Sequence, residues 1–192
     1  MKLESDIAQL LAERSDAWLV SSVLQTLSGL YGQELQPFTA DPSAMRSLST
    51  TASIDLVLEA ADCRVTALVA CAPEHAVRVA SSLFGRDVTL QDGGADIIGE
   101  SANTIGGRIK ASLIERGFAL RLGLPKIDIA PVAIDVDAWD ACTWVKTPTD
   151  ERFFISVRAD VAAGLPPVAS WPTIPPAASV AQSDDDLDAL LF

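Results

Sequence analysis

The feature that constrains this chain most is its longest helical pattern, from about Ala95 to Arg116. With about 100° of rotation per residue, five apolar residues project to one side: Ile98, Ala102, Ile105, Ile109 and Leu113. A second set projects roughly opposite: Asp96, Glu100, Asn103 and Gly107. Such a separation of faces is typical of a helix on the surface of a globular domain. The pattern therefore predicts a helix that packs its apolar side on the core and exposes its polar line.

Periodicity and turn residues predict further helices and strands around this one. The other helices are predicted from about Ser5 to Tyr31 and from Pro73 to Phe84, before Gly85. The predicted strands are residues 54–59, 64–71, 118–122, 127–134, 143–146 and 153–159. The order is thus helix, two strands, two helices and then strands. It predicts an α+β domain with helices packed on a largely antiparallel sheet.

The composition changes at Gly164, where prolines begin to alternate with alanine and serine. We predict a single domain over residues 1–163, an extended Pro/Ala-rich linker over 164–182 and a flexible tail over 183–192. In the tail, Ser183 followed by Asp186 resembles a helix N-cap, and three leucines, Leu187, Leu190 and Leu191, would share one face. A helix this short is marginal alone, so we expect it to fold against a partner.

The charge and the apolar runs of the chain disfavour several classes of function. Its formal net charge is −12, and no cluster of Lys or Arg offsets it. We therefore expect no nucleic-acid partner. No uncharged apolar run reaches about 18 residues, which predicts no membrane insertion. The charged N-terminal residues do not follow the order of a secretory signal, so a cytoplasmic location is expected.

The other candidate sites are interpreted as structural or solvent-exposed residues without a chemical role. Cys63, Cys71 and Cys142 match no zinc or disulfide spacing, and buried thiols are predicted. His75, the single histidine, is interpreted as a surface or helix-start residue. The acids Asp135, Asp137 and Asp140 lack the remaining elements of a calcium loop and are interpreted as a solvated turn. For Trp139 and Trp144, core or sheet packing is preferred. No metal site is predicted.

The polar line of the long helix is the strongest candidate site. Glu100 and Asn103 are three residues apart, so they are neighbours on a helix surface and could reach a partner together. The helix also carries Gly99, Gly106 and Gly107, although each glycine costs about 1 kcal/mol relative to alanine. Close approach by another chain would explain at least Gly107. From spacing alone, two solvated helix residues would be the usual interpretation.

The string DIIGESANTIGG, residues 96–107, resembles the helix signature of the CheC, CheX and FliY family of chemotaxis phosphatases. The order of elements over about residues 5–160 fits the CheX-like branch. The resemblance implies a CheX-like single domain in which Glu100 contacts the active-site lysine of a response regulator. Asn103 would orient the water that attacks the phosphoaspartate, and Asp96 and Gly107 would face the partner. No cofactor of its own is implied, since the regulator supplies Mg2+.

The tail resembles the acidic-leucine peptides by which FliM and CheZ capture CheY-type regulators. Its predicted partner-binding residues are Ser183, Asp184, Asp185, Asp186, Leu187, Leu190, Leu191 and Phe192. Some members of the family carry a second catalytic motif in the first helix, but Glu13 and Asp16 here lack its amide. The resemblance therefore implies one active site, and it leaves open a homodimer, which CheX-like proteins can use.

Taken together, these residues predict a phosphatase that acts on a phosphorylated CheY-type response regulator. The first alternative is a non-catalytic adaptor that holds the regulator through the same surface and the tail. The second is a structural component of a flagellar switch, which is disfavoured because such a module would not require both Glu100 and Asn103.

Overall fold

The computed structural model describes residues 15–40, 48–58, 63–114, 119–131, 134–135 and 138–161. Within these ranges the chain forms three helices: α1 Ser15–Tyr31, α2 Pro73–Phe84 and α3 Gly94–Ile114. It also forms seven strands: β1 Gln36–Pro37, β2 Thr50–Leu58, β3 Cys63–Cys71, β4 Arg121–Leu122, β5 Lys126–Asp128, β6 Ala141–Lys146 and β7 Arg152–Val161. The predicted start of the first helix, the linker and the tail lie outside the described residues.

The strands form one sheet in the order β1-β6-β7-β3-β2-β4, and β5 also pairs with β2. Every pairing between these strands is antiparallel. The central strand β3 pairs along its whole length with both neighbours, so that Ala67 lies opposite Ile54 of β2 and Val157 of β7. The predicted α+β class and the largely antiparallel sheet are confirmed.

One strand prediction was wrong in extent, and one short strand was missed. Among the described residues of the strand predicted over 127–134, only 127 and 128 are in a strand, which is β5, Lys126–Asp128. Its partner explains this limit, because Asp128 pairs with Thr51 and β2 begins at Thr50. The strand β1 was not predicted, since it has two residues and ends in Pro37. It pairs with the edge of β6 at Val145 and Lys146.

The main core lies between the helices and one face of the sheet. All five apolar residues that were predicted to face inward on α3 are buried, with at most 6% of their surface exposed. Successive residues of a strand point to opposite faces, so Phe153 enters this core while Phe154 joins a second cluster behind the sheet. Trp144 belongs to that second cluster, which confirms its predicted packing role. Trp139 is half-buried and lies 5.5 Å from the guanidinium of Arg158.

A buried carboxylate joins α2 to the turn before β7. Glu151 is 3% exposed. Thr147 and Thr149 donate hydroxyl hydrogen bonds to its Oε2, and Arg78 Nε donates to its Oε1 at 2.8 Å. Burial raises the pKa of Glu151, but these hydrogen bonds lower the pKa by more, so it lies below its ordinary value. The carboxylate is therefore a stabilising group only while it is charged.

This cluster predicts a specific loss of stability in acid. Because the folded pKa is depressed, the stabilisation is present above the unfolded pKa of about 4.3 and is lost as the pH falls through the folded value. We expect Glu151→Gln to be less stable than wild type at pH 7, with the difference shrinking below about pH 4. Urea unfolding at several pH values measures this. The exposed Glu34→Gln variant serves as the control, and an equal pH dependence of Glu151→Gln and wild type would contradict the assignment.

Candidate active-site helix

The start of α3 is fixed by the turn that precedes it. Gly93 has φ of 102°, a value that favours glycine. The backbone amides of Gly94 and Ala95 donate to the carbonyl oxygens of Thr89 and Leu90, at 3.1 and 2.7 Å. These bonds satisfy amides that a helix leaves without partners at its first turn. The rotation of α3 and hence the direction of its polar line are set from this end.

The structure brings Glu100 and Asn103 together on the outward side of α3. Glu100 is exposed and Asn103 is half-buried. The amide Nδ2 of Asn103 lies 3.5 Å from Glu100 Oε2, at the outer limit of a hydrogen bond. Asp96 is exposed and Gly107 half-buried on the same line. The predicted polar line is confirmed as an accessible surface, and the Glu100–Asn103 contact is weak enough to rearrange around a bound group.

Two hydroxyl groups hold the backbone below this line. Thr104 Oγ1 donates to the carbonyl oxygen of Glu100 at 2.7 Å and lies 3.4 Å from its Oε1. Ser101, which is buried, donates to the carbonyl oxygen of Ile97 at 2.6 Å. Tyr31, at the end of α1, lies 2.8 Å from Ser101 Oγ and so donates to it. Burial raises the pKa of Tyr31, which keeps this hydroxyl protonated as a donor.

Several carboxylates of the described domain pair with a Lys or Arg, unlike those of the polar line. Asp55, for example, lies 3.1 Å from Lys126 Nζ, and Asp92 lies 3.0 Å from Arg86. Within the part of the chain that the structure describes, neither Glu100 nor Asp96 has a Lys or Arg at ion-pair distance. A cation on a binding partner could therefore pair with Glu100 without breaking one of the described ion pairs.

The glycines of α3 differ in how much space a side chain would have at each position. A Cβ at Gly99 would lie 2.9 Å from Ile127 Cδ1, and a Cβ at Gly106 would lie 2.7 Å from Ile54 Cγ2. Gly106 is thus required by packing inside the domain, whereas a side chain at position 99 would displace the terminal methyl of the partly exposed Ile127. A Cβ at Gly107 would meet nothing within 4 Å. The structure provides no internal reason for Gly107, so its predicted role in contact with another chain stays a prediction.

His75 lies in the first turn of α2, where its Nδ1 accepts a hydrogen bond from the backbone amide of Arg152 at 2.9 Å. Cys63 and Cys71 are buried thiols, and Cys142 is half-buried. Among the described residues, no group of three or more potential ligands could hold a metal ion. In the same ranges no helix is long and apolar enough to cross a membrane.

Some predicted positions lie outside the described residues. They include Glu13 of the degenerate second motif, Asp137 of the acidic turn and all of residues 183–192. Asp140 is described, and its Oδ2 accepts the backbone amide of Ala159 at 2.7 Å, so this acid has a structural role. The supporting pair Tyr31 and Ser101 was missed, because in the sequence Tyr31 is only one more apolar position of the first helix.

Comparison with known proteins was made by sequence and by structure. No family model matches the sequence, and no curated protein matches it. Among solved structures, chemotaxis protein CheX from Vibrio vulnificus has a TM-score of 0.59, with 18% identity over 74% of this chain and 93% of that chain. A CheC-like superfamily protein from Shewanella sp. PV-4 has a TM-score of 0.56, with 14% identity over 74% and 94%.

The chain has the CheX-like fold.

A third structure adds a bound partner to the comparison. It is the complex of CheX with CheY, BeF3 and Mg2+ from Borrelia burgdorferi, with a TM-score of 0.53 and 14% identity over 73% of this chain and 94% of that chain. These solved structures are covered almost completely, so the CheX-like domain described here corresponds to nearly the whole of each. The expected CheX-like architecture is thereby confirmed.

Proposed function

We propose that this CheX-like chain is an aspartyl-phosphate phosphatase for a CheY-type response regulator. The observation that carries the proposal is the outward-facing pair Glu100 and Asn103, which lie in contact on an exposed helix of a CheX-like fold. The absence of a described cationic partner for Glu100 supports its role in binding a lysine of the regulator. The Borrelia burgdorferi complex contains CheX and CheY together, which supports a CheY-type partner.

The main task of the phosphatase in this reaction is to position the attacking water molecule. The oxygen of a water molecule forms a bond to phosphorus, while the bond between phosphorus and the aspartyl oxygen breaks. The products are inorganic phosphate and the free aspartate of the regulator, and the proton lost by water passes to phosphate or solvent. An amide can accept from and donate to that water without changing its own protonation state. Asn103 therefore fits a positioning role better than that of a base.

Glu100 has a different task in this mechanism. Its carboxylate would accept a charge-assisted hydrogen bond from the active-site lysine of the regulator. As the two surfaces exclude water, the pair strengthens because the local dielectric constant falls. Mg2+ bound by the regulator would neutralise charge on the phosphoryl group, and no cofactor of the CheX-like chain is needed. Asp96 and Gly107 would flank this contact along α3.

The tail is proposed as a second attachment point. Residues 183–192 would hold the regulator and raise its effective concentration at α3. Deleting these residues should therefore weaken capture and leave part of the activity when the regulator is abundant.

The direct test measures decay of the phosphorylated regulator. The regulator is phosphorylated by a small acyl-phosphate donor in Mg2+, the donor is removed, and decay is followed with and without catalytic amounts of the full chain. We expect multiple turnovers per molecule of phosphatase. Binding of the regulator without faster decay would instead identify the chain as an adaptor.

A further inference from the structure

Large apolar side chains are exposed at two places in the described structure. Leu83 and Phe84 close α2, and Leu124, Ile127 and Ile129 lie in and beside β5. We call the last three the apolar strip. Its members are 86%, 42% and 46% exposed, respectively. Single exposed apolar residues are ordinary, but three within six positions mark a candidate interaction surface.

The apolar strip borders the polar line of α3. Ile127 Cδ1 lies 2.9 Å from the position of a Cβ on Gly99, so the strand and the helix touch there. Gly99 immediately precedes Glu100 and is four residues before Asn103, which makes Asn103 its neighbour on the helix surface. The other flank of α3 is occupied by α1, through the Tyr31–Ser101 hydrogen bond. The polar line therefore lies between α1 on one flank and the strip on the other.

The position of the strip on an edge strand is also informative. In the described sheet β5 pairs with β2 only, and exposed apolar edge strands are a risk for aggregation. Leu124 contributes little to the core at 86% exposure. By contrast, the opposite face of β5 is polar, where Lys126 pairs with Asp55. Successive residues of a strand point to opposite faces, so Ile127 is on the side of β5 that faces α3, and Leu124 and Ile129 flank it along the chain.

We infer that the apolar strip is the docking surface that holds the phosphorylated receiver domain against Glu100 and Asn103. This inference rests on the proposed phosphatase function and names the residues that determine affinity. An exposed ion pair such as Glu100 with a lysine changes affinity by about fivefold or less. Holding a water molecule in line needs a better defined complex. Apolar contact beside the pair supplies that affinity and excludes water from it.

The partner that fits is a receiver domain with an apolar rim next to its active-site lysine. A second copy of this chain, paired along the edge of β5, is the competing occupant. The two occupants differ in what the strip controls: the regulator concentration needed for half-maximal rate in one case, and the oligomeric state in the other.

The test uses the full chain and steady-state dephosphorylation of the regulator. Leu124→Ser and Ile129→Ser should each raise KM about tenfold, a typical effect of truncating a central interface residue, with kcat unchanged. Leu83→Ser is the matched control, because it makes the same change in the other exposed apolar group, and its KM should stay within about twofold of wild type. Sedimentation and thermal unfolding of each variant are measured alongside.

Each outcome has a defined meaning. Unchanged KM in both strip variants overturns the inference, as does an equal rise of KM in Leu83→Ser. A shift from dimer to monomer with unchanged KM assigns the strip to contact between copies. If the wild type binds the regulator without catalysis, Kd replaces KM in the same comparison, and only the phosphatase function has failed. If the wild type neither binds nor dephosphorylates any regulator, both proposals fail.

Discussion

Replacing Asn103 with alanine is expected to lower kcat for dephosphorylation about 100-fold or more, the effect expected when a reacting water loses its position. Binding of the phosphorylated regulator should change little, since Glu100 and the apolar strip remain. The variant should not unfold, because alanine is a better helix former than asparagine by a few tenths of a kcal/mol. The measurement is kcat under saturating regulator, beside Kd from a titration.

A longer amide separates positioning from polarity at this site. Asn103→Gln keeps the same donor and acceptor but moves them outward by one methylene group. We expect its kcat to fall nearly as far as that of Asn103→Ala, since a displacement of about 1 Å is enough to cost 100-fold. A kcat within threefold of wild type in Asn103→Ala would show that another group places the water.

The adjacent glycines of α3 should respond in opposite ways to the same substitution. Gly106→Leu is expected to lower the free energy of unfolding by about 3 kcal/mol, because overpacking a closed site has this cost. The new Cβ would stand 2.7 Å from Ile54 Cγ2 and 3.0 Å from Leu122 Cδ1. Ile54 is anchored in the central part of the sheet and cannot withdraw. Urea unfolding measures the loss.

Gly107→Leu should instead raise stability by about 0.5–1 kcal/mol, since leucine favours helix and the position is open. Under the proposed function it should also impair catalysis at limiting regulator, because the new side chain would stand between α3 and the docked partner. Stability and activity would then change in opposite directions in one variant. Equal unfolding midpoints for Gly106→Leu and Gly107→Leu would contradict the packing described here.

The polar line was predictable because it depends on local geometry alone. Helical rotation places Glu100 and Asn103 on one side of α3, independently of the rest of the chain. The long apolar face of the opposite side predicted that α3 packs on the core. The Tyr31–Ser101 hydrogen bond, by contrast, joins residues that are distant in sequence. No pattern within either helix reports such a pairing, since it depends on how α1 is placed against α3.

The strand predicted over residues 127–134 was correct at its start but extended too far along the chain. Apolar residues such as Ile127 and Ile129 were interpreted as the interior of a strand, because hydrophobic patterns in a sequence do not distinguish core from interface. In the structure both are partly exposed, and β5 ends at Asp128, opposite Thr51 and one residue from the start of β2. Ile127, inside the strand, and Ile129, beyond its end, both belong to the proposed docking surface.

The central position of β3 has a consequence for how the chain folds. Residues 63–71 are completed on one side by the adjacent β2, but on the other side by residues 153–161, at the far end of the described domain. Closing such a long loop before any contact is gained slows folding, so a time scale of milliseconds to seconds is expected. During synthesis α3 is made before the last strand, so the helix that carries Glu100 and Asn103 must await β7 to complete the sheet beneath it.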